Sequence, residues 1–141
     1  MNLLEALQEL RQGYYTEFIK VKSYEGLNTT ANLTIEGTVP NLEGKDVIIV
    51  EDILDTGTAL SHLIPILTQQ SKAKSIEVCT LLIKRINNEP QKITAKYIGF
   101  SIPPKFVIGY GLDYNELYRD IRDVWIISQK GIDYREPPHD S

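Results

Sequence analysis

Three carboxylates stand close together in a setting that suits phosphate and sugar chemistry. Glu51 and Asp52 follow the apolar run Val47-Ile48-Ile49-Val50, and Asp55 opens the turn Asp55-Thr56-Gly57-Thr58-Ala59. A turn that leads into a helix offers backbone N–H groups and the positive end of the helix dipole to a phosphate monoester. Carboxylate oxygens match sugar hydroxyls or a hydrated magnesium ion. No Gly-Lys-Thr follows the turn, which excludes a Walker A loop. Lys84 and Asp113 are the other chemistry-bearing residues at expected strand ends, and in open α/β sheets the ligand crevice lies outside those ends. Two further readings fit the acidic group. Asp55 could cap a helix while Glu51 and Asp52 face solvent, or the group could be a receiver-type signalling pocket. No second Asp-terminated strand stands where the latter needs one.

The elements that must position these residues follow from hydrophobic spacing. Leu3, Leu4, Leu7 and Leu10 predict an opening amphipathic helix that Gly13 ends. Phe18-Ile19-Lys20-Val21 predicts a short strand running into Lys22–Gly26. A mobile loop with a small edge strand around Leu33 and Ile35 is expected between Leu27 and Gly44. Val47–Val50 predicts a parallel strand covered on both faces, because its β-branched residues are continuous rather than alternating. Leu60, Leu63, Ile64 and Leu67 predict the next helix, which Pro65 should kink. A second buried strand is expected over Ile76–Ile83, a turn at Asn87–Pro90 and a third strand at Phe106–Gly109. A short helix near Asn115–Asp120, a last strand at Val124–Ser128 and an unstructured tail from Gly131 complete the reading. Strands separated by helices or loops predict an α/β, doubly wound, mostly parallel sheet.

Composition bounds the rest. The chain has 141 residues, a net charge of -4 and 42% apolar residues, enough for one core. An acidic balance argues against non-specific nucleic-acid binding, which needs basic surface. No apolar stretch is long enough for a membrane helix, and the N-terminus lacks a signal-peptide layout, so a cytoplasmic location is expected. The lone Cys79 is expected to be a buried, inert thiol. His62 reads as a helix-surface residue, and Trp125 as a packing residue.

Taken together, Val47-Ile48-Ile49-Val50-Glu51-Asp52-Ile53-Leu54-Asp55-Thr56-Gly57 resembles the phosphoribosyl-pyrophosphate (PRPP) signature of purine phosphoribosyltransferases. Lys22-Ser23-Tyr24, Leu81–Arg85, Tyr97–Phe100 and Lys105–Tyr114 resemble the hypoxanthine-guanine branch of that family in order and spacing. The resemblance runs from about Leu3 to Ser128. It implies a type I phosphoribosyltransferase-like fold, with one domain over residues 1–130 and a tail over 131–141. It also implies purine salvage: ribose 5-phosphate moves from PRPP to N9 of hypoxanthine or guanine, giving IMP or GMP and pyrophosphate, with Mg2+ on the diphosphate.

The resemblance assigns roles residue by residue. Glu51 and Asp52 accept from the ribose hydroxyls. Ile53, Leu54, Asp55, Thr56, Gly57, Thr58 and Ala59 form the nucleotide loop, with the 5-phosphate cradled from Asp55 to Ala59. Asp55 takes or shares the purine N7 proton, and Lys84 donates to the 6-oxo group. Lys105, Phe106 and Val107 line the purine site, with Phe106 stacking on the ring and the Val107 backbone at its Watson–Crick edge. Asp113 approaches the guanine 2-amino group and binds magnesium, with Glu51 and Asp52 as further candidates, and Arg119 reaches the pyrophosphate. Ser23 and Tyr24 match the catalytic loop that closes over the site. A homo-oligomer, dimer or tetramer, is implied, without nucleic-acid or membrane partners.

Two departures bear on activity. The family's phosphate loop ends in a threonine where this chain has Ala59 after Thr58. Losing a hydroxyl donor to a charged group costs roughly 1.5–3 kcal/mol, hence tenfold or more in affinity, unless Thr58 substitutes. The resemblance also expects a central strand and a Leu-Lys-Gly-type pyrophosphate loop before the opening helix. Their absence before Asn2 leaves a second expectation open: a fragment, or a non-catalytic or partner-dependent relative that binds PRPP or nucleotide.

Overall fold

A computed structural model of the chain describes residues 13–24, 32–86 and 90–134. The described chain falls into two compact units, residues 1–46 with 62–75 and residues 47–61 with 76–141. The opening helix over Leu3–Leu10 and the Asn87–Pro90 turn fall wholly or mostly outside the described residues.

In the first unit, strands β1 (Lys20–Tyr24) and β2 (Asn32–Glu36) form an antiparallel pair in which Val21 faces Ile35 and Tyr24 faces Asn32. The strand expected at Phe18 thus starts two residues later, and Phe18 is almost fully exposed. Leu42 is buried, its N–H donating to Ser71 O, and Lys74 N–H returns to Lys45 O, closing this unit's loops on one another.

The second unit holds a three-stranded sheet in the order β3-β4-β5, formed by Asp46–Leu54, Ser75–Lys84 and Tyr97–Ile102. β4 and β5 run parallel, Cys79 opposite Tyr97 and Leu82 opposite Phe100. The expected α/β class with a mostly parallel sheet therefore holds. Val78, Thr80 and Leu82 alternate along β4 as its buried face, with Leu54, Ala95, Val107, Ile108 and Ile127 also in the core. Between β3 and β4 runs helix α1, Thr58–Gln69, whose Leu60, Leu63 and Leu67 are buried as their spacing predicts. Pro65 lies inside that helix.

Several expectations need correction. β3 does not stop at Val50 but carries Glu51 and Asp52 within it, to Leu54. Nor are its two faces both covered: Ile48 is 52% and Val50 61% exposed, and Asp46, Ile48, Val50 and Asp52 alternate along β3 as an open face. β5 is a strand that the spacing did not flag; its Gly99 interrupts the pattern because a Cβ there would press on the Leu81 carbonyl of β4. The strand expected at Phe106 is the short β6, Val107–Ile108, paired antiparallel with β7, Trp125–Ile126, outside the parallel sheet.

No helix forms at Asn115–Asp120. Asn115, Glu116 and Tyr118 all have positive φ, which a right-handed helix forbids. Asp113 accepts from the Glu116 N–H at 2.9 Å, and a side chain bonded to local backbone in this way competes with helix formation. Gly131 to Asp133 are not tail but part of helix α2, Gln129–Asp133, capped by Ser128 Oγ on the Gly131 N–H. Cys79 is half-buried rather than buried, and Trp125 is 61% exposed rather than packed. His62 is on the surface as expected. No helix among the described residues is long and apolar enough to cross a membrane.

Candidate active site

The second unit brings the end of β3, the start of α1 and the end of β4 together. Asp55 follows β3 directly, and Lys84 is the last residue of β4. Their side chains meet, with Lys84 Nζ 3.3 Å from Asp55 Oδ2. Burial is unequal: the Lys84 side chain is 13% exposed and the Asp55 side chain 55%. The ammonium is the sheltered partner, and the carboxylate is the exposed one.

The turn between them is built for close approach. Gly57 has a φ of +78°, a conformation that favours glycine, and a Cβ there would sit a tight 3.2 Å from the Ile93 amide nitrogen. Thr56 and Thr58 share a hydroxyl contact at 3.0 Å, and the Thr58 N–H leans on Thr56 Oγ1 at 3.4 Å. Ser61 N–H donates to Gly57 O at 2.9 Å, which opens the helix. The first-turn N–H groups of α1 thus lie at the turn, as an anion site needs. Thr58 has a hydroxyl one residue before the Ala59 position, at the helix start.

Glu51 and Asp52, on β3, differ in setting. Asp52 is exposed and its Oδ1 accepts from the Ile53 N–H at 2.7 Å. Glu51 is half-buried, and burial, followed by the neighbouring Asp52 charge, raises its pKa above the ordinary value of 4.5. Both carboxylates remain acceptor groups suited to hydroxyls.

Phe106 would be read alone as a core aromatic, yet its ring is 54% exposed. Lys84 Nζ lies 5.4 Å from the ring centroid, and Tyr114 meets the ring edge-on, centroids 5.4 Å apart. Lys105 is exposed, its N–H held by Pro103 O at 2.7 Å. Val107 is buried as a side chain. Ile127 N–H donates to Phe106 O, which makes Phe106 and Ile127 the hydrogen-bonded pair; Val107 and Ile126 are then the pair whose backbone groups point outward. The Val107 amide edge is left for another partner.

Asp113 and Arg119 form a closed set. Arg119 Nη2 lies 3.3 Å from Asp113 Oδ2 and 3.1 Å from Glu116 Oε2, and Nη1 donates to Gly111 O at 2.8 Å. These acids, the Glu116 hydrogen bond foremost, raise the Arg119 pKa further. Among the described residues no three His, Cys, Asp or Glu side chains gather as a metal cage. Any magnesium here would need oxygens from a substrate beside one or two carboxylates, the coordination this ion ordinarily accepts. Ser23 and Tyr24 belong to the first unit; their backbone is paired in β1, and their side chains lie outside the described residues.

One residue had no motif to announce it. Gln91 Nε2 donates to Asp55 O at 2.8 Å and to Lys84 O at 3.1 Å, with Leu54 O at 3.5 Å. Its partners are backbone carbonyls far away in sequence, so no spacing rule points to it. Gln91 and Lys84 line a cavity of about 390 Å³ with Ile83, Arg85, Pro90 and Ser101. The larger cavity, about 610 Å³, has an apolar lining that includes Phe100, Tyr110 and Trp125, and of the predicted site residues it holds only Val107.

Residues 4–115 match the phosphoribosyl transferase domain. The chain is 42% identical over 119 residues to the human hypoxanthine-guanine phosphoribosyltransferase, covering 82% of this chain and 53% of that protein. It therefore spans about half the length of the curated relatives it matches. Among solved structures, a Staphylococcus aureus hypoxanthine phosphoribosyltransferase is 42% identical with a TM-score of 0.70, covering 80% of this chain and 61% of that one. The Trypanosoma cruzi hypoxanthine phosphoribosyltransferase in complex with the product IMP is 36% identical with a TM-score of 0.78, covering 91% and 67%.

Proposed function

The chain belongs to the phosphoribosyl transferase domain family, and from that premise we propose that it is the PRPP- and purine-binding part of a cytoplasmic purine salvage enzyme. It makes IMP or GMP and pyrophosphate from hypoxanthine or guanine and PRPP, and assembles as a dimer or tetramer. The observation that carries this reading is the Asp55–Lys84 pair at 3.3 Å beside the exposed Phe106 ring, at the ends of adjacent strands.

In the reaction N9 of the base bonds to C1′ of the ribose as the C1′–O bond to pyrophosphate breaks. The base must give up its N7 proton, and the exposed Asp55 carboxylate receives it, general-base work that suits a group within hydrogen-bond reach. An ammonium has three donors, so Lys84 can keep Asp55 oriented while donating to the purine 6-oxo group. Adenine presents an amino donor there and is rejected. Phe106 stacks on the base, which takes the place of Lys84 on the ring, and the outward Val107 amide edge meets the base's hydrogen-bonding edge. The turn Asp55–Ala59 and the α1 N-terminus hold the 5-phosphate, with Thr58 supplying the hydroxyl that Ala59 lacks. Glu51 and Asp52 hold the ribose hydroxyls. Mg2+ bound with the diphosphate would neutralise charge on the leaving group, and Asp113, or alternatively Glu51 and Asp52, would offer it one or two hard oxygen ligands beside those of the substrate. Arg119 reaches the pyrophosphate on release from Asp113.

The test is nucleotide formation from hypoxanthine, PRPP and Mg2+, followed as IMP produced over time. Turnover above an Asp55→Asn control is expected. A second reading, nucleotide binding without turnover, is favoured by one observation: among the described residues β3, which carries Glu51 and Asp52, pairs on one side only. Calorimetric IMP binding with no product would select it, and absence of both binding and product would reject the two together.

A further inference from the structure

Gln91 stands outside every motif, yet it touches the main chain of both members of the Asp55–Lys84 pair. Its amide nitrogen has two hydrogens and three carbonyls around it, Asp55 O at 2.8 Å, Lys84 O at 3.1 Å and Leu54 O at 3.5 Å. Three acceptors on one side fix which end of the amide points there, since its oxygen would be repelled. The two short bonds therefore reach across from the residue after β3 to the last residue of β4. The adjoining backbone continues the contact: Lys92 N–H donates to Thr56 O at 3.0 Å, and the Ile93 amide lies against Gly57. Residues 91–93 thus run alongside residues 55–57, with Gln91 alone reaching both strands through its side chain.

We propose that Gln91 is a positioning residue that ties the ends of β3 and β4 and thereby sets the Asp55–Lys84 separation for the purine base. Gln91 joins Asp55 O and Lys84 O just where β3 and β4 end, and small shifts there move both side chains. In the purine-transfer reading both side chains contact the base, so loosening the strand ends weakens the hold on hypoxanthine although Gln91 itself touches no substrate. The kinetic part of this inference rests on the purine-transfer reading above; the geometric part does not.

Gln91→Met keeps the side-chain length and removes both donors, and Gln91→Glu turns oxygen toward the three carbonyls. Two measurements are made on each full-length variant. In the IMP-forming assay, Gln91→Met is expected to raise KM for hypoxanthine about tenfold while KM for PRPP stays near wild type, and Gln91→Glu more so. In acylation by acetic anhydride with mass mapping, Lys84 is expected to react about threefold faster than in wild type as the strand ends open, with the other lysines unchanged. Unchanged hypoxanthine KM together with unchanged Lys84 acylation overturns the proposal. Equal losses for both substrates with a fall in melting temperature also overturn it, since Gln91 would then be general support. If the wild type neither forms nor binds IMP, the transferase reading fails, and Lys84 acylation alone decides whether Gln91 ties the pair.

Discussion

The two charged pairs at this site are held in opposite ways. Lys84 and Asp55 sit on strand ends tied through backbone carbonyls by Gln91, so the side chains themselves are spare: the carboxylate is 55% exposed, and the ammonium has donors beyond its one 3.3 Å contact. Arg119 is instead held by the groups it could release, two carboxylates and a carbonyl of its own loop. The first arrangement gives up only the Lys84 contact with the Phe106 ring when a base arrives, and keeps its ion pair. The second must break contacts first, so its contribution is smaller and depends on what arrives. Positioning by the main chain leaves chemistry to the side chain, whereas positioning by the side chain's own charge uses that charge up.

The strongest way to break this contrast is Asp55→Asn. It keeps the shape and removes the base, so IMP formation is expected to fall by about 10²-fold or more, within the range typical of general-base loss. Initial rates against hypoxanthine measure it, and IMP affinity by calorimetry should fall much less. If turnover survives, Asp55 is only a structural partner for Lys84. Next in size is Lys84→Gln, which removes the ammonium but leaves a donor. The preference for hypoxanthine over adenine is expected to drop about tenfold, read as the ratio of kcat/KM values. Unchanged discrimination would move the specificity element elsewhere, with the outward Val107 edge the first candidate.

These two residues were also the most legible in the sequence, for a physical reason. Continuous β-branched residues at Val47–Val50 and the apolar run of Ile76–Ile83 end in polar residues, and strand ends are where sheets present chemistry. The leucine spacing of α1 fixed its buried face in the same way. The region from Gly109 to Arg119 was misread as partly helical because Asn115–Asp120 has no local breaker. What decides it is a string of left-handed residues, Gly109, Tyr110, Gly111, Asn115, Glu116 and Tyr118, supported by side-chain bonds from Asp113 and Arg119. At Gly109 there is a steric reason as well, since a Cβ would collide with the Asp123 carbonyl. Gln91 was invisible because its bonds span 36 and 7 residues to backbone atoms, which leave no side-chain pattern.

A smaller effect concerns Glu51, whose burial and Asp52 neighbour raise its pKa. The folded chain then holds a proton that the unfolded chain has released, so stability falls as pH rises from the unfolded toward the folded value. Above both values the whole penalty is present; below the unfolded value there is none. Glu51→Gln is therefore expected to leave stability unchanged well below pH 4.5 and to raise it at neutral pH. The gain is small, because the group is only half-buried and keeps part of its hydration. Urea midpoints at the two pH values measure it. Equal gains at both would mean that Glu51 acts through packing rather than charge.

The smallest effect is expected from Asp113→Asn, which tests the other side of the contrast. The amide still accepts from the Glu116 N–H, so the turn that replaced the expected helix persists. Arg119 loses one of its two carboxylates, but both partners are partly exposed, at 49% and 31%, and exposed ion pairs contribute little to stability. Stability in urea should therefore change little and less still in high salt. Arg119, less tightly held, should instead meet an incoming polyanion more readily, so inorganic pyrophosphate is expected to bind slightly better in the absence of magnesium. With magnesium present the order reverses, because a carboxylate ligand has been lost. A pyrophosphate affinity that falls equally with and without magnesium would mean that Asp113 holds Arg119 in its working position. The loop would then be preorganised in the same sense as the strand ends, and the difference drawn between the two regions would vanish.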